Sequence, residues 1–330
     1  MRKNYKDYKY QIFSYAILVV TFAILVLFMH ARLDYLLGAD ESSELLLGKL
    51  LAEENHVLSQ NWYYSTELRF LNTQLIYALC FKLFSNWHVV RVVASAILYL
   101  IMLISYYYLC RQLKRQKYFA ITASILLLPF SAEYFIVVLK GLYYIPHISI
   151  SFLSVGLGYC MAIPICLLNL LYGPWKKQFR ILLSVILLGS IQFVGNVHLI
   201  AQLNEDDNKE LRAAIAFLKQ EGYTQGYSTY WKGNLTTELS GGDIEMWIMC
   251  DDAAGAGIAE VQDVHTVFCW LQNKSHDNNF PKGKQFIMLT RDEYSRCNWQ
   301  DKLLLENADY LSDELVIFGF DSEEELEGSF

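Results

Sequence analysis

Five stretches of this chain stay apolar for about 18 residues or more, the length a helix needs to cross roughly 30 Å of hydrocarbon. They run from Gln11 to His30, Trp87 to Cys110, Tyr118 to Leu139, Ile148 to Leu171 and Ile181 to Ala201. No single water-soluble core takes up that many apolar helices. A composition of 54% hydrophobic and 15% aromatic residues points the same way, to a multi-pass α-helical membrane protein. A sixth stretch, Leu71 to Ser85, is shorter and carries Lys82, and it reads as a helix on or dipping into the interface. The first run is too long for a signal peptide and no small-residue cleavage site follows it, so it is expected to remain as an anchor.

Charge is sorted along the chain. Residues 1–201 hold 17 Lys and Arg against 9 Asp and Glu, whereas 202–330 hold 10 against 25. The sorting predicts two environments: a membrane domain over 1–201 and a separate acidic domain over 202–330. It leaves no basic face for nucleic acid. Orientation follows from Arg2, Lys3, Lys6 and Lys9 before the first span, Arg111, Lys114, Arg115 and Lys117 after the second, and Lys176, Lys177 and Arg180 before the fifth. If the spans alternate, all of these share one side, which the positive-inside rule makes cytoplasmic. The N-terminus is then cytoplasmic, and the C-terminal domain lies outside a plasma membrane.

The same alternation makes 31–86 a long extracytoplasmic loop, opening with "GADESSE". Leu45, Leu46, Leu50 and Leu51 fall at helical spacing among Glu44, Lys49, Glu53 and Glu54, which predicts an amphipathic helix on the membrane surface. Trp62, Tyr63 and Tyr64 suit the headgroup level. In the C-terminal domain a helical stripe over Ala213, Ile215, Ala216 and Leu218 is stopped by Gly222. "GYSTYWKGNLTTELSGGDIEMWIMC", "QFIMLT" and "LVIFGF" read as strands, with Gly241-Gly242 as a hairpin candidate and "DSEEELEGSF" as a solvated tail. The expected fold there is α+β. Seven cysteines show no CxxC pair or metal-ligand spacing; small buried side chains are the plain reading, and one disulfide among Cys250, Cys269 and Cys297 is the alternative.

A basic N-terminus, one span, a long outer loop that begins with an acidic pair, a short second helix in "LNTQLIYALCFKLFSNW", and then Arg91 in "NWHVVRVVASAILYLIMLISYYYLCRQL" resemble the GT-C superfamily of membrane glycosyltransferases. Within it, the protein O-mannosyltransferases and aminoarabinose transferases are the most similar in pattern, over roughly residues 1–160. The resemblance implies a GT-C-like helical bundle and transfer of a sugar from a polyprenyl-phosphate donor to an extracytoplasmic glycan or lipid acceptor. It also implies that Asp40 is the catalytic base, with Glu41 beside it. Five spans are about half the number usual in that superfamily. The alternative is accordingly a shortened, non-catalytic relative that binds a glycan or a partner protein.

The chemistry of such a site needs a carboxylate for the acceptor proton, groups for the departing phosphate and aromatic surface for the sugar. Asp40 fits the first need, and it equally suits the N-cap of the following helix. Glu133, an ionisable group inside the third apolar run, is a supporting carboxylate or an ion-pair partner. Arg91, Lys140 and Arg69 are phosphate candidates; snorkelling to lipid headgroups, or an ion pair in the case of Arg69, is the plain reading. Trp62, Tyr63, Tyr230 and Trp231 are candidate acceptor or glycan contacts, although Tyr230 and Trp231 equally fit a strand core. His147 lacks companions for a metal. An acidic pair can assist a divalent cation, but no dedicated oxygen set is visible, and no cofactor is expected with certainty.

Overall fold

The structure is a computed structural model, and it describes residues 2–64, 73–127, 205–249, 270–297 and 299–329, with side chains from residue 8 onward. It is mostly helical, with one five-stranded sheet, and it divides into two compact units. Residues 1–33 and 92–205 make one; residues 34–91 and 206–330 make the other. The long first loop and the acidic C-terminal region therefore belong to a single body.

Helix α1 (Arg2–Leu36) and helix α4 (Trp87–Gln112), which lie mostly in the first unit with residues 34–36 and 87–91 in the second, are each long and apolar enough to cross a bilayer. Leu18, Leu25, Met29 and Leu33 form the buried stripe of α1, at spacings of seven and four, while Val19, Val20, Ile24 and Leu27 are exposed. Helix α5 (Phe119–Leu126) opens the third predicted span, and Phe119 lies within 6.3 Å of the rings of Tyr15, Tyr106 and Tyr107. The remainder of that span, and the fourth and fifth, fall outside the described residues.

In the second unit, helix α2 (Ala39–Glu54) packs against helix α3 (Gln74–Phe81) and helix α7 (Tyr230–Leu239). The expected amphipathic helix is present, but Leu45, Leu47 and Leu51 point inward, together with Ser42, Ser43 and Gly48. Leu46 and Leu50 are only half-buried. Small residues let the helices approach closely: a Cβ at Gly48 would lie 2.4 Å from the Tyr77 Cβ.

The sheet has the order β2-β1-β3-β5-β4, with β1 (Gln225–Ser228), β2 (Glu245–Ile248) and β3 (Gln285–Thr290) parallel. β5 (Leu315–Phe320) runs antiparallel to β3 and to β4 (Tyr310–Leu311). Both faces are covered, so β5 and the interior of β3 read as continuous apolar runs rather than alternating ones. On one face, Tyr227, Trp247, Ile287, Leu289, Val316 and Phe318 pack with Tyr294 of helix α8 (Arg291–Arg296) and Leu326 of helix α9 (Glu323–Gly328). Helix α6 (Lys209–Gln220) and α7 accompany the other.

Three expectations need correction. The segment Tyr230–Leu239 is a helix, because its β-favouring residues are held against β2 and α2. Gly241 and Gly242 end that helix instead of turning a hairpin: Gly242 N–H donates to Thr237 O and Gly241 N–H to Glu238 O, with φ at +82° and +74°. The acidic tail is not wholly solvated, since Leu326 is fully buried in the sheet core. Gly222 stops α6 as expected, through the same paired bonds.

Candidate functional site

The first turn of α2 carries the acidic pair. Gly38, not Asp40, is the N-cap; the Glu41 carboxylate accepts from the Gly38 N–H at 3.1 Å and so satisfies one of the helix's orphan donors. Asp40 is thereby released from the capping role that the sequence offered it. Its side chain is exposed, and its Oδ1 accepts a short hydrogen bond from the Tyr230 hydroxyl, 190 positions away. Tyr230 opens α7 directly after β1, so the contact lies at the carboxyl end of a central parallel strand, where open α/β sheets place ligands.

That strand end is held firmly. Thr229 Oγ1 donates to Glu293 Oε1 at 2.6 Å, and Glu293 Oε2 accepts from Thr290 N–H at 2.7 Å, which ties the ends of β1 and β3 to one buried carboxylate. Ser228 Oγ donates to Met288 O at 2.8 Å. Around Tyr230 the rings of Trp231 and Trp270 stand 5.4 and 4.9 Å away, and Trp231 is 62% exposed. Burial first, and then the Asp40 carboxylate, push the Tyr230 phenol well above its ordinary range, so it stays a proton donor to Asp40. An exposed carboxylate, oriented by a phenol and flanked by an open indole, can accept a proton from a hydroxyl group lying on that aromatic surface.

Arg91 is buried in the same unit. Its Nε and Nη2 donate to Glu238 at 2.6 and 2.5 Å, its Nη1 to the Tyr77 hydroxyl at 3.1 Å, and its Nη2 to the backbone oxygen of Glu41 at 2.9 Å. The guanidinium thus fixes the acidic turn of α2 against α7. Trp62 is buried against Leu47, Leu51 and Ala78. Tyr63 donates to Asp277 through its hydroxyl and pairs by its backbone with Leu271 and Gln272. Both aromatics therefore anchor the loop to this unit. Asn234, part of a glycosylation sequon, is buried and donates to Leu271 O at 3.0 Å.

Arg69, Glu133, Lys140 and His147 lie outside the described residues, as do Cys250 and Cys269; Cys297 is a buried free thiol. Among the described residues no group of His, Cys, Asp or Glu is placed to hold a metal ion. Sequence reasoning missed Trp270, Glu238 and Glu293, none of which stands in a motif. It also missed an Asp34–His88 pair, 2.9 Å apart, at a cleft of about 430 Å³ that Glu238 and Trp87 also line. No known protein family, no curated protein and no solved structure matches this chain.

Proposed function

We propose that this chain is a multi-pass plasma-membrane sugar transferase of GT-C type, its N-terminus cytoplasmic and the unit formed by 34–91 and 206–330 extracytoplasmic. The observation that carries the reading is the Tyr230–Asp40 hydrogen bond, which sets an exposed carboxylate beside an aromatic surface at the end of a parallel strand. Two helices of spanning length, and the exposed Leu79, Leu83 and Phe84 in the first loop, support apposition to a bilayer.

In this reading Asp40 takes the proton from the acceptor hydroxyl as its oxygen attacks the sugar carbon, and the polyprenyl phosphate leaves from the opposite side, inverting that carbon. Glu41 and Arg91 are positioning residues for the turn that carries Asp40. Phosphate contact falls to Lys140 and Arg69, with Glu133 as a supporting carboxylate. Trp231 and Tyr230 belong to the acceptor side, whereas Trp62 and Tyr63 hold the first loop to this unit.

The test is polyprenyl-phosphate-sugar consumption by the full chain in proteoliposomes. Asp40→Asn is expected to abolish turnover while membrane accumulation is unchanged; equal turnover rejects Asp40 as the base. A wild-type chain that consumes no donor, yet retains glycan, would favour the non-catalytic relative instead.

A further inference from the structure

We infer that His276 is a proton-operated clasp: its charged imidazolium fastens the segment 271–277 to the first loop, and loss of one proton loosens it. The clasp does not rest on the transfer reaction. His276 is buried in a 3-10 turn (Lys274–Asp277) beside the edge strand β2. Its Nε2 lies 3.0 Å from Glu245 Oε1, and its Nδ1 lies 3.4 Å from Gln272 Oε1.

The Gln272 amide cannot be turned round. Its Oε1 accepts from the Ile248 N–H at 3.3 Å while its Nε2 donates to Ile248 O at 3.4 Å, so a flip would set donor against donor and oxygen against oxygen. An ionised carboxylate only accepts. Both ring nitrogens of His276 therefore face acceptor oxygens, whereas a neutral imidazole has a single N–H to offer. The arrangement is complete only when both nitrogens carry protons.

Burial in general disfavours a charge. Here the Glu245 carboxylate opposes that, and so does the Trp247 ring, stacked on the imidazole with centroids 4.4 Å apart, because a cation is attracted to an indole face. The other charged groups near the ring are engaged elsewhere. On the turn itself, Lys274 Nζ lies 5.1 Å from the centre of the Tyr63 ring, and Asp277 accepts from the Tyr63 hydroxyl. On α2, Lys49 and Glu53, which line the same cleft as His276, pair with each other at 2.6 Å. From α7 the cleft receives Asn234 and Thr237, neither of which titrates.

What the turn holds is the first loop. Tyr63 N–H donates to Gln272 O at 2.9 Å, Leu271 N–H to Tyr63 O at 2.7 Å, and Lys274 N–H to Asn61 O at 2.9 Å. Gln272 thus meets His276 through its side chain and Tyr63 through its backbone. An imidazole ordinarily titrates near 6.5 and carboxylates near 4, so of these groups the ring is the one whose charge changes between about pH 5.5 and 8.5. The loop is fastened on the acid side of that window and freer on the alkaline side.

The experiment is hydrogen–deuterium exchange of the full chain in nanodiscs between about pH 5.5 and 8.5, corrected for the intrinsic exchange rate at each pH. Amides over 61–64 and 271–274 are expected to lose about 3- to 10-fold of their protection as pH rises, the effect of one net hydrogen bond, while 286–289 in β3 stay unchanged. His276→Gln, which cannot titrate, should give a flat profile. Should that variant fail to fold, Glu245→Gln decides: the Glu245 side chain is 58% exposed, so the fold survives the change, and without the carboxylate the fall in protection should move to lower pH. A flat wild-type profile, the wild-type fall persisting in His276→Gln, a fall unmoved in Glu245→Gln, or a parallel loss in β3 would overturn the assignment.

Discussion

Arg91 and Glu238, 147 positions apart, meet through two hydrogen bonds of 2.6 and 2.5 Å with both side chains almost fully buried. The pair joins the second turn of α4 to the last turn of α7, and the same guanidinium reaches Tyr77 and the backbone of Glu41. Burial of two charges is costly, and only complete pairing offsets it.

Removing one partner should therefore be far worse than removing both. Arg91→Met alone leaves the Glu238 carboxylate buried without its cation, and is expected to cost about 3–5 kcal/mol. The double variant Arg91→Met with Glu238→Leu should recover most of that loss. Thermal unfolding of the purified chain, completed as a double-mutant cycle, reads both numbers. Arg91→Lys should not rescue, since an ammonium cannot hold both Glu238 oxygens, Tyr77 and the Glu41 carbonyl in that planar fork.

The α2–α3 contact depends on the absence of a side chain at Gly48. A Cβ there would meet the Tyr77 Cβ at 2.4 Å and the Gln74 backbone oxygen at 3.1 Å, and neither atom is the loose end of a flexible chain. Gly48→Ala gains helix propensity, but it forces the helices apart. Overpacking of this kind costs about 1–3 kcal/mol, which should exceed the propensity gain of about 1 kcal/mol. A fall in melting temperature, with faster proteolysis of the loop that carries α2 and α3, is the expected outcome.

The long helices and the stop at Gly222 were legible because each follows from a local pattern: an apolar length in one case, a positive-φ residue in the other. α7 was not. "YWKGNLTTEL" is poor in strong helix formers and rich in residues that favour strands, and its helix is set by burial against β2 and α2. The reading of Gly241-Gly242 as a hairpin turn followed from that error, since two glycines after a strand mean one thing and after a helix another. Asp40 was visible as chemistry, yet its partner was not, because nothing in the 190 intervening positions signals that Tyr230 returns to it. Glu238 sits in "TTELSGG" without any pattern to mark it as the counter-ion of Arg91.

Leu326 tests how far the acidic tail belongs to the fold. It is fully buried among Phe318, Phe320 and Tyr294, on a six-residue helix whose N-cap Ser322 accepts from the Glu325 N–H at 3.2 Å. So short a helix cannot stand alone, so its one apolar contact must hold it in place. Leu326→Ala is expected to cost about 2–4 kcal/mol. Leu326→Asp should detach the segment altogether, seen as rapid amide exchange over 323–328 with the rest of the sheet still protected.

Alkaline conditions should weaken the 34–91 and 206–330 unit through its buried phenols. Burial first, and then Asp309, Asp321, Glu221 and Glu325, push the Tyr223 phenol up to about 12, while the Lys284 ammonium lies 4.4 Å from its ring centre. Tyr77 and Tyr230 are raised in the same direction, again by burial first. An unfolded tyrosine titrates near 10, so between about pH 10 and 12 the unfolded chain gives up protons that the folded one keeps. Stability from these groups is fully present below about pH 10 and is lost as pH rises through the folded values. Tyr223→Phe cannot ionise, and a phenylalanine ring fits the same space beside Gly319. Melting temperatures followed from pH 8 to pH 12 should therefore fall less steeply above pH 10 in Tyr223→Phe than in the wild type, and a parallel decline in both would remove Tyr223 from the account.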